Sequence, residues 1–139
     1  MKRSTREWVD KAEDDYRAAA LLARRSEHSE PFHDQVCFHC QQSAEKYLKA
    51  LLEELGIDVE KTHELTRLLA PLLPHHPALR SLGRGLSFLT SFAVNPRYPG
   101  KNATKRQVTS ALRWAGEVRA ACRSLLGIPP SRGRRRRSP

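Results

Sequence analysis

Between Cys37 and Leu55 the chain sets Cys37, Cys40, Ala44, Leu48, Leu51 and Leu55 three or four residues apart, and Gly56 follows at once. Apolar residues at this spacing fall on one face of an α-helix, and a glycine directly after the last of them suits the left-handed position that closes one. A helix this long with an apolar stripe is not stable alone in water, so other elements must cover the stripe. Those elements should be helices too, because alternation of period two is nowhere sustained.

Four further segments show helical signals. Ser4 and Glu7 have capping-box spacing ahead of Val9, Ala12, Tyr16, Ala19 or Ala20, and Ala23, which predicts a first helix from about Thr5 to Arg25. The polar stretch SEHSEPFHD separates it from the second helix. Thr62 is a candidate cap for a short third helix through Leu65, Leu68, Leu69 and Leu72, which Pro71 bends or ends. Leu79, Leu82, Leu86, Leu89 and Ala93 mark a fourth that stops by Asn95, since Pro96 disfavours helical geometry in the residue before it. After the loop NPRYPGKN, Thr104 and Gln107 repeat the capping-box spacing. Val108, Ala111 or Leu112, Ala115, Val118, Cys122 and Leu125 then carry a fifth helix to Gly127. The expectation is an all-α fold, an antiparallel up-and-down bundle of four to five helices in one domain over residues 1–128.

Residues 129–139, PPSRGRRRRSP, form an Arg-rich tail with two leading prolines, no acidic residue and nothing apolar to bury, and should be disordered. Its five arginines, Arg132 and Arg134 to Arg137, account for half of the formal charge of +10. Such a tail either attracts nucleic acid without regard to sequence or merely aids solubility. No apolar run is long enough to span a bilayer and MKRSTREW lacks the apolar core of a signal peptide, so no membrane role and a cytoplasmic location are expected. Cys37, Cys40 and Cys122 fall on helical stripes and read as reduced core thiols; Cys37 and Cys40 form a C-x-x-C, but no second ligand pair with zinc spacing follows, so neither metal nor cofactor is expected.

The second helix also specifies another face. His39, Gln42, Lys46 and Lys49 are spaced three, four and three residues apart, offset from the leucine stripe and beside Gln41 and Glu45. Charged residues so placed usually form a solvated face, and a histidine at its edge is usually a boundary residue. The alternative is a binding surface. In the loop, Pro96 and Pro99 restrict the backbone on either side of Arg97 and Tyr98. An arginine fork with a tyrosine face suits phosphate and a stacked base; equally, Tyr98 could cover core and Arg97 could bond helix-end carbonyls. His63, after Thr62, could orient the turn or meet a ligand.

Three separated motifs, CFHCQQSAEKYLKALL, KTHEL (Lys61 to Leu65) and NPRYPG (Asn95 to Gly100), together with the acidic and alanine-rich opening WVDKAEDDYRAAALLA, resemble the HEPN domain family of prokaryotes over about residues 5 to 126. The resemblance implies an antiparallel helical bundle that forms a homodimer and is often encoded beside a minimal nucleotidyltransferase, in a two-gene arrangement of toxin–antitoxin type. Many relatives are metal-independent ribonucleases or toxins; others bind nucleotides or are non-catalytic partners. The catalytic branch carries an arginine followed after four to six residues by a histidine, and this chain departs from it. No histidine occurs after His76, so Arg97 has none downstream. Arg67 and His75 are separated by seven residues, and Arg24 and His28 by three.

That departure matters chemically, because metal-free RNA cleavage needs a base for the 2′-hydroxyl proton and a cation for the phosphorane, and Arg97 alone supplies only the second. The reading is therefore a nucleotide- or RNA-binding protein and partner of a nucleotidyltransferase, with Arg97, Tyr98, Lys46, Lys49, His39, Gln42 and His63 as binding residues and no catalytic residue assigned. The alternatives are a ribonuclease toxin with an atypical arginine and histidine site, or a non-catalytic helical subunit.

Overall fold

A computed structural model describes residues 1–26, 32–93 and 102–130. These residues form five α-helices and no strand: α1 (Arg3–Ser26), α2 (His33–Glu54), α3 (Leu65–Leu69), α4 (Gly83–Thr90) and α5 (Lys105–Leu125), with short 3-10 turns at Ala70–Leu72 and Pro77–Leu82. The expected all-α bundle is what the chain adopts. Arg97, Tyr98 and residues 131–139 of the Arg-rich tail lie outside the described residues.

The arrangement is built around α2, which packs against α1, α5, α3 and α4. Its stripe is the core: Cys37, Cys40, Ala44, Leu48 and Leu51 are buried, as are Val36, Tyr47, Ala50 and Leu52 beside them. Leu55, the last residue of the predicted stripe, is exposed at the helix end. The chain turns there at Gly56 (φ 70°), where Ile57 N–H donates to the Leu52 carbonyl and Gly56 N–H to that of Glu53. This is the paired Schellman closure a glycine permits. Gly127 (φ 72°) closes α5 in the same way, with Ile128 bonded to Arg123 and Gly127 to Ser124.

Helix α1 runs antiparallel to α2. It begins at Arg3, so Ser4 lies inside the first turn rather than capping it. The far end of α2 holds that turn instead: Thr5 Oγ1 and Lys2 N–H both donate to Glu54 Oε1, at 2.9 and 3.0 Å, and Lys2 Nζ donates to the Glu53 carbonyl. Val9, Ala12 and Ala19 face the core. Helix α5 runs parallel to α2, since Ala103 N–H donates to Asp34 Oδ1 at 2.6 Å near the start of both. Its capping box forms in both arms: Gln107 N–H donates to Thr104 Oγ1 at 3.1 Å, and Thr104 N–H to Gln107 Oε1 at 2.9 Å. Val108, Ala111, Ala115, Val118 and Cys122 are buried, which settles Ala111 over Leu112.

The connection between α2 and α5 carries α3 and α4. Glu64, not Thr62, occupies the N-cap position of α3; Thr62 Oγ1 instead accepts from Glu64 N–H two residues on, a local turn that delays the helix. Leu65 N–H donates to Thr90 Oγ1 at 3.1 Å, which ties the start of α3 to the end of α4. The predicted fourth helix is divided, with Leu79 and Leu82 on the 3-10 turn that Pro77 opens and Leu86 and Leu89 on α4. Gly85 is required where α4 meets α5, because a Cβ there would fall 2.0 to 2.7 Å from three atoms of the Trp114 indole.

Candidate functional site

The second face of α2 divides into two polar networks. In the first, His39 Nδ1 and Lys46 Nζ both reach Asp15 of α1, donating to Oδ1 at 2.8 Å and to Oδ2 at 2.5 Å. All three are partly buried, so this group fastens α1 to α2. Among the predicted binding residues, His39 and Lys46 thus share one carboxylate.

The second network is centred on Glu45, whose side chain is 5% exposed. Its Oε1 accepts from Gln41 Nε2 at 3.0 Å and from His63 Nδ1 at 2.8 Å, while Oε2 accepts from Lys49 Nζ at 3.0 Å. Gln41, fully buried, also donates to the His63 carbonyl at 3.2 Å and accepts from Gln42 Nε2 at 2.7 Å. Gln42, Lys49 and His63 are therefore joined through two residues, Gln41 and Glu45, that the sequence marks out without assigning to a site. Their spacing of four on α2 is the visible signal. What the spacing cannot reveal is that the 62–64 turn and Trp8 of α1 flank this side. Lys49 Nζ lies 5.4 Å from the centre of the Trp8 ring.

Burial raises the pKa of Glu45, but the hydrogen bonds from His63, Gln41 and Lys49 outweigh it and hold the carboxyl below its ordinary value. The ionised carboxylate is acceptor-only, so His63 presents Nδ1–H to it. That bond selects the tautomer and leaves Nε2 outside this network. The His63 side chain is 67% exposed. A buried carboxylate therefore orients a solvent-facing imidazole, which can accept through Nε2 when neutral and donate from it when protonated.

A third network, with no counterpart among the predicted residues, joins α1, α2 and α5. Glu13 accepts from Tyr47 Oη, from Arg119 Nε at 2.7 Å and Nη2 at 3.3 Å, and from Arg123 Nη1 at 3.0 Å. Burial again raises the Glu13 pKa, and the bonds from Arg119 and Tyr47 and the arginine charges outweigh it, leaving it lowered. Burial and Glu13 together push the Tyr47 phenol up. Partners from 34 to 110 residues away leave no local sequence pattern.

The cysteines sit in the core: all three thiols are free and buried, and burial pushes Cys37 up to about 12. Among the described residues no cluster of three or more His, Cys, Asp or Glu is placed to hold a metal ion, and no helix is long and apolar enough to cross a membrane.

The HEPN domain family model matches residues 5–125. Two solved structures share the fold: an archaeal HEPN homologue, 24% identical with a TM-score of 0.71 over 91% of this chain and 99% of that one, and a protein of Thermus thermophilus, 22% identical with a TM-score of 0.75 over 88% and 98%. No curated protein sequence matches the chain significantly.

Proposed function

The chain belongs to the HEPN domain family, and on that footing we propose that it is a nucleotide- or RNA-binding helical module that acts beside a minimal nucleotidyltransferase in a two-gene, toxin–antitoxin-like pair. The observation that supports this reading is the exposed His63 imidazole fixed through Nδ1 by buried Glu45. A group held in one orientation by a buried acceptor is suited to meeting an outside oxygen, and a phosphate oxygen is one that both forms of nucleotide ligand offer. Gln42 and Lys49 are joined to the same network, and the NPRYPG sequence offers Arg97 as a phosphate fork and Tyr98 as an aromatic face. The working unit is taken to be a homodimer.

Binding is tested by titrating the protein with nucleoside monophosphates and short single-stranded RNA. His63→Ala should weaken binding about 10-fold or more, the loss of one charge-assisted hydrogen bond. Unchanged binding in that variant would remove His63 from the site. The partnership is tested by expressing the chain alone and with a nucleotidyltransferase, reading growth and co-purification.

The same pair gives the second reading, a metal-independent ribonuclease toxin, its specific support, because a histidine whose tautomer a carboxylate fixes is an apt general base. RNA cleavage by the protein, abolished by His63→Ala and by Arg97→Ala, would favour that reading over binding alone.

A further inference from the structure

Among the described residues, Trp8 is the aromatic side chain that meets the Glu45 network, through Lys49. The same indole lines a surface cavity of about 260 Å³ whose other walls are Ser4, Glu7 and Lys11 of α1 and Glu53 of α2. The chemistry of these walls is selective. The indole is a flat apolar face, Glu7 and Glu53 offer only acceptors when ionised, and Lys11 and Ser4 supply donors. Glu7 is 70% exposed and its contact to Arg3, at 4.0 Å with an arginine 95% exposed, is a weak surface pair that leaves the carboxylate open to other donors. An aromatic face with flanking carboxylates suits a planar ring that carries an amino group: the ring stacks, and the amino N–H groups donate to carboxylate.

From this geometry we infer that the cavity at Trp8 is the base-binding subsite of the proposed nucleotide site, taking a nucleobase with an exocyclic amino group against the indole. Lys49 connects the two parts, with its ammonium bonded to Glu45 at 3.0 Å and lying over the Trp8 ring, while Glu45 holds His63 at 2.8 Å. Phosphate recognition at His63 and base recognition at Trp8 are then two ends of one ligand. The inference rests on the nucleotide-binding reading and goes beyond it by naming where the base sits and which bases are preferred.

The test uses the full chain and three probes, CMP, UMP and ribose 5-phosphate, titrated by calorimetry. CMP should bind more tightly than UMP, whose ring has no amino group, and more tightly than ribose 5-phosphate, which has no ring. Trp8→Leu should weaken CMP binding by about 5- to 150-fold, the range for loss of one base-stacking aromatic, and bring it close to ribose 5-phosphate, which itself should be little changed. Trp8→Phe should restore much of the difference, a rescue that a merely structural role for the indole would not produce in binding while thermal melting stays constant. The chain has two tryptophans, so a Trp114→Phe background makes Trp8 the sole indole, and CMP should quench its fluorescence. Equal binding of CMP and ribose 5-phosphate with no quenching would overturn the inference and leave phosphate binding at His63 standing. No binding of any probe would overturn both.

Discussion

Glu13 and Glu45 are two carboxylates taken out of water by the same bundle, each bonded to three side chains and each held below its ordinary pKa. They differ in where their networks end. Glu13 is bonded to Tyr47, fully buried, and to Arg119 and Arg123, 21% and 14% exposed, from helices already packed together, and Arg123 Nη2 donates onward to the Pro129 carbonyl at 3.2 Å. The bonds of Glu45 end on Lys49 and Gln41 inside and on His63 outside. A polar network whose side chains stay mostly buried between helices joins them, whereas one that terminates in an exposed imidazole presents a group to solvent.

Removing each carboxylate in turn separates the two networks. Glu13→Ala and Glu45→Ala should each cost about 3 kcal/mol of unfolding free energy, since each strands cationic partners that are mostly out of water. Only Glu45→Ala should also weaken ligand binding, because only it frees an outward imidazole. Denaturant titration with calorimetric binding of the same proteins checks both halves, and loss of binding in Glu13→Ala at a temperature where it stays folded would erase the distinction.

Acidification should act on both networks together. A folded pKa below the unfolded one means that the stabilisation is present above the unfolded value, about 4.3, and is lost as pH falls below it through the folded pKa. The urea midpoint should therefore fall progressively below that pH, and a Glu13→Ala, Glu45→Ala double variant should show a flatter acid limb. The smallest stability effect belongs to the exposed terminus: His63→Ala should cost about 1 kcal/mol, the loss of one of the three side chains bonded to the buried Glu45 carboxylate. A loss as large as that of Glu45→Ala would mean that the imidazole serves the turn rather than a ligand.

Helix ends and stripes were legible because they depend on neighbours in sequence. The α2 stripe, the Thr104 and Gln107 box and the glycines at 56 and 127 each need only local residues to act. Ser4 and Thr62 have equally good local credentials but do not cap. Lys2 and Thr5 are held by Glu54, some fifty residues on, and Thr62 spends its hydroxyl on a turn. The candidate site was half legible for the same reason. Gln41, Glu45 and Lys49 stand out at spacings of four, but whether such a row is solvated depends on Trp8 and His63, which only the folded chain brings alongside. The Glu13 network, assembled from three helices, left no local trace.

The central position of α2 has a consequence for how the molecule opens. Its amides lie on a helix covered by every other helix, so their exchange with solvent deuterium should require unfolding of the whole bundle. The turn that carries His63 is anchored to α2 by side chains, through Glu45 and the bond from Gln41 to the His63 carbonyl. Local opening can release that turn while α2 remains folded. A ligand held at His63 would slow exchange in the turn and, because unfolding of the whole bundle also releases it, would slow the α2 amides by the same free energy of binding, while amides that open without disturbing the turn would keep their rates.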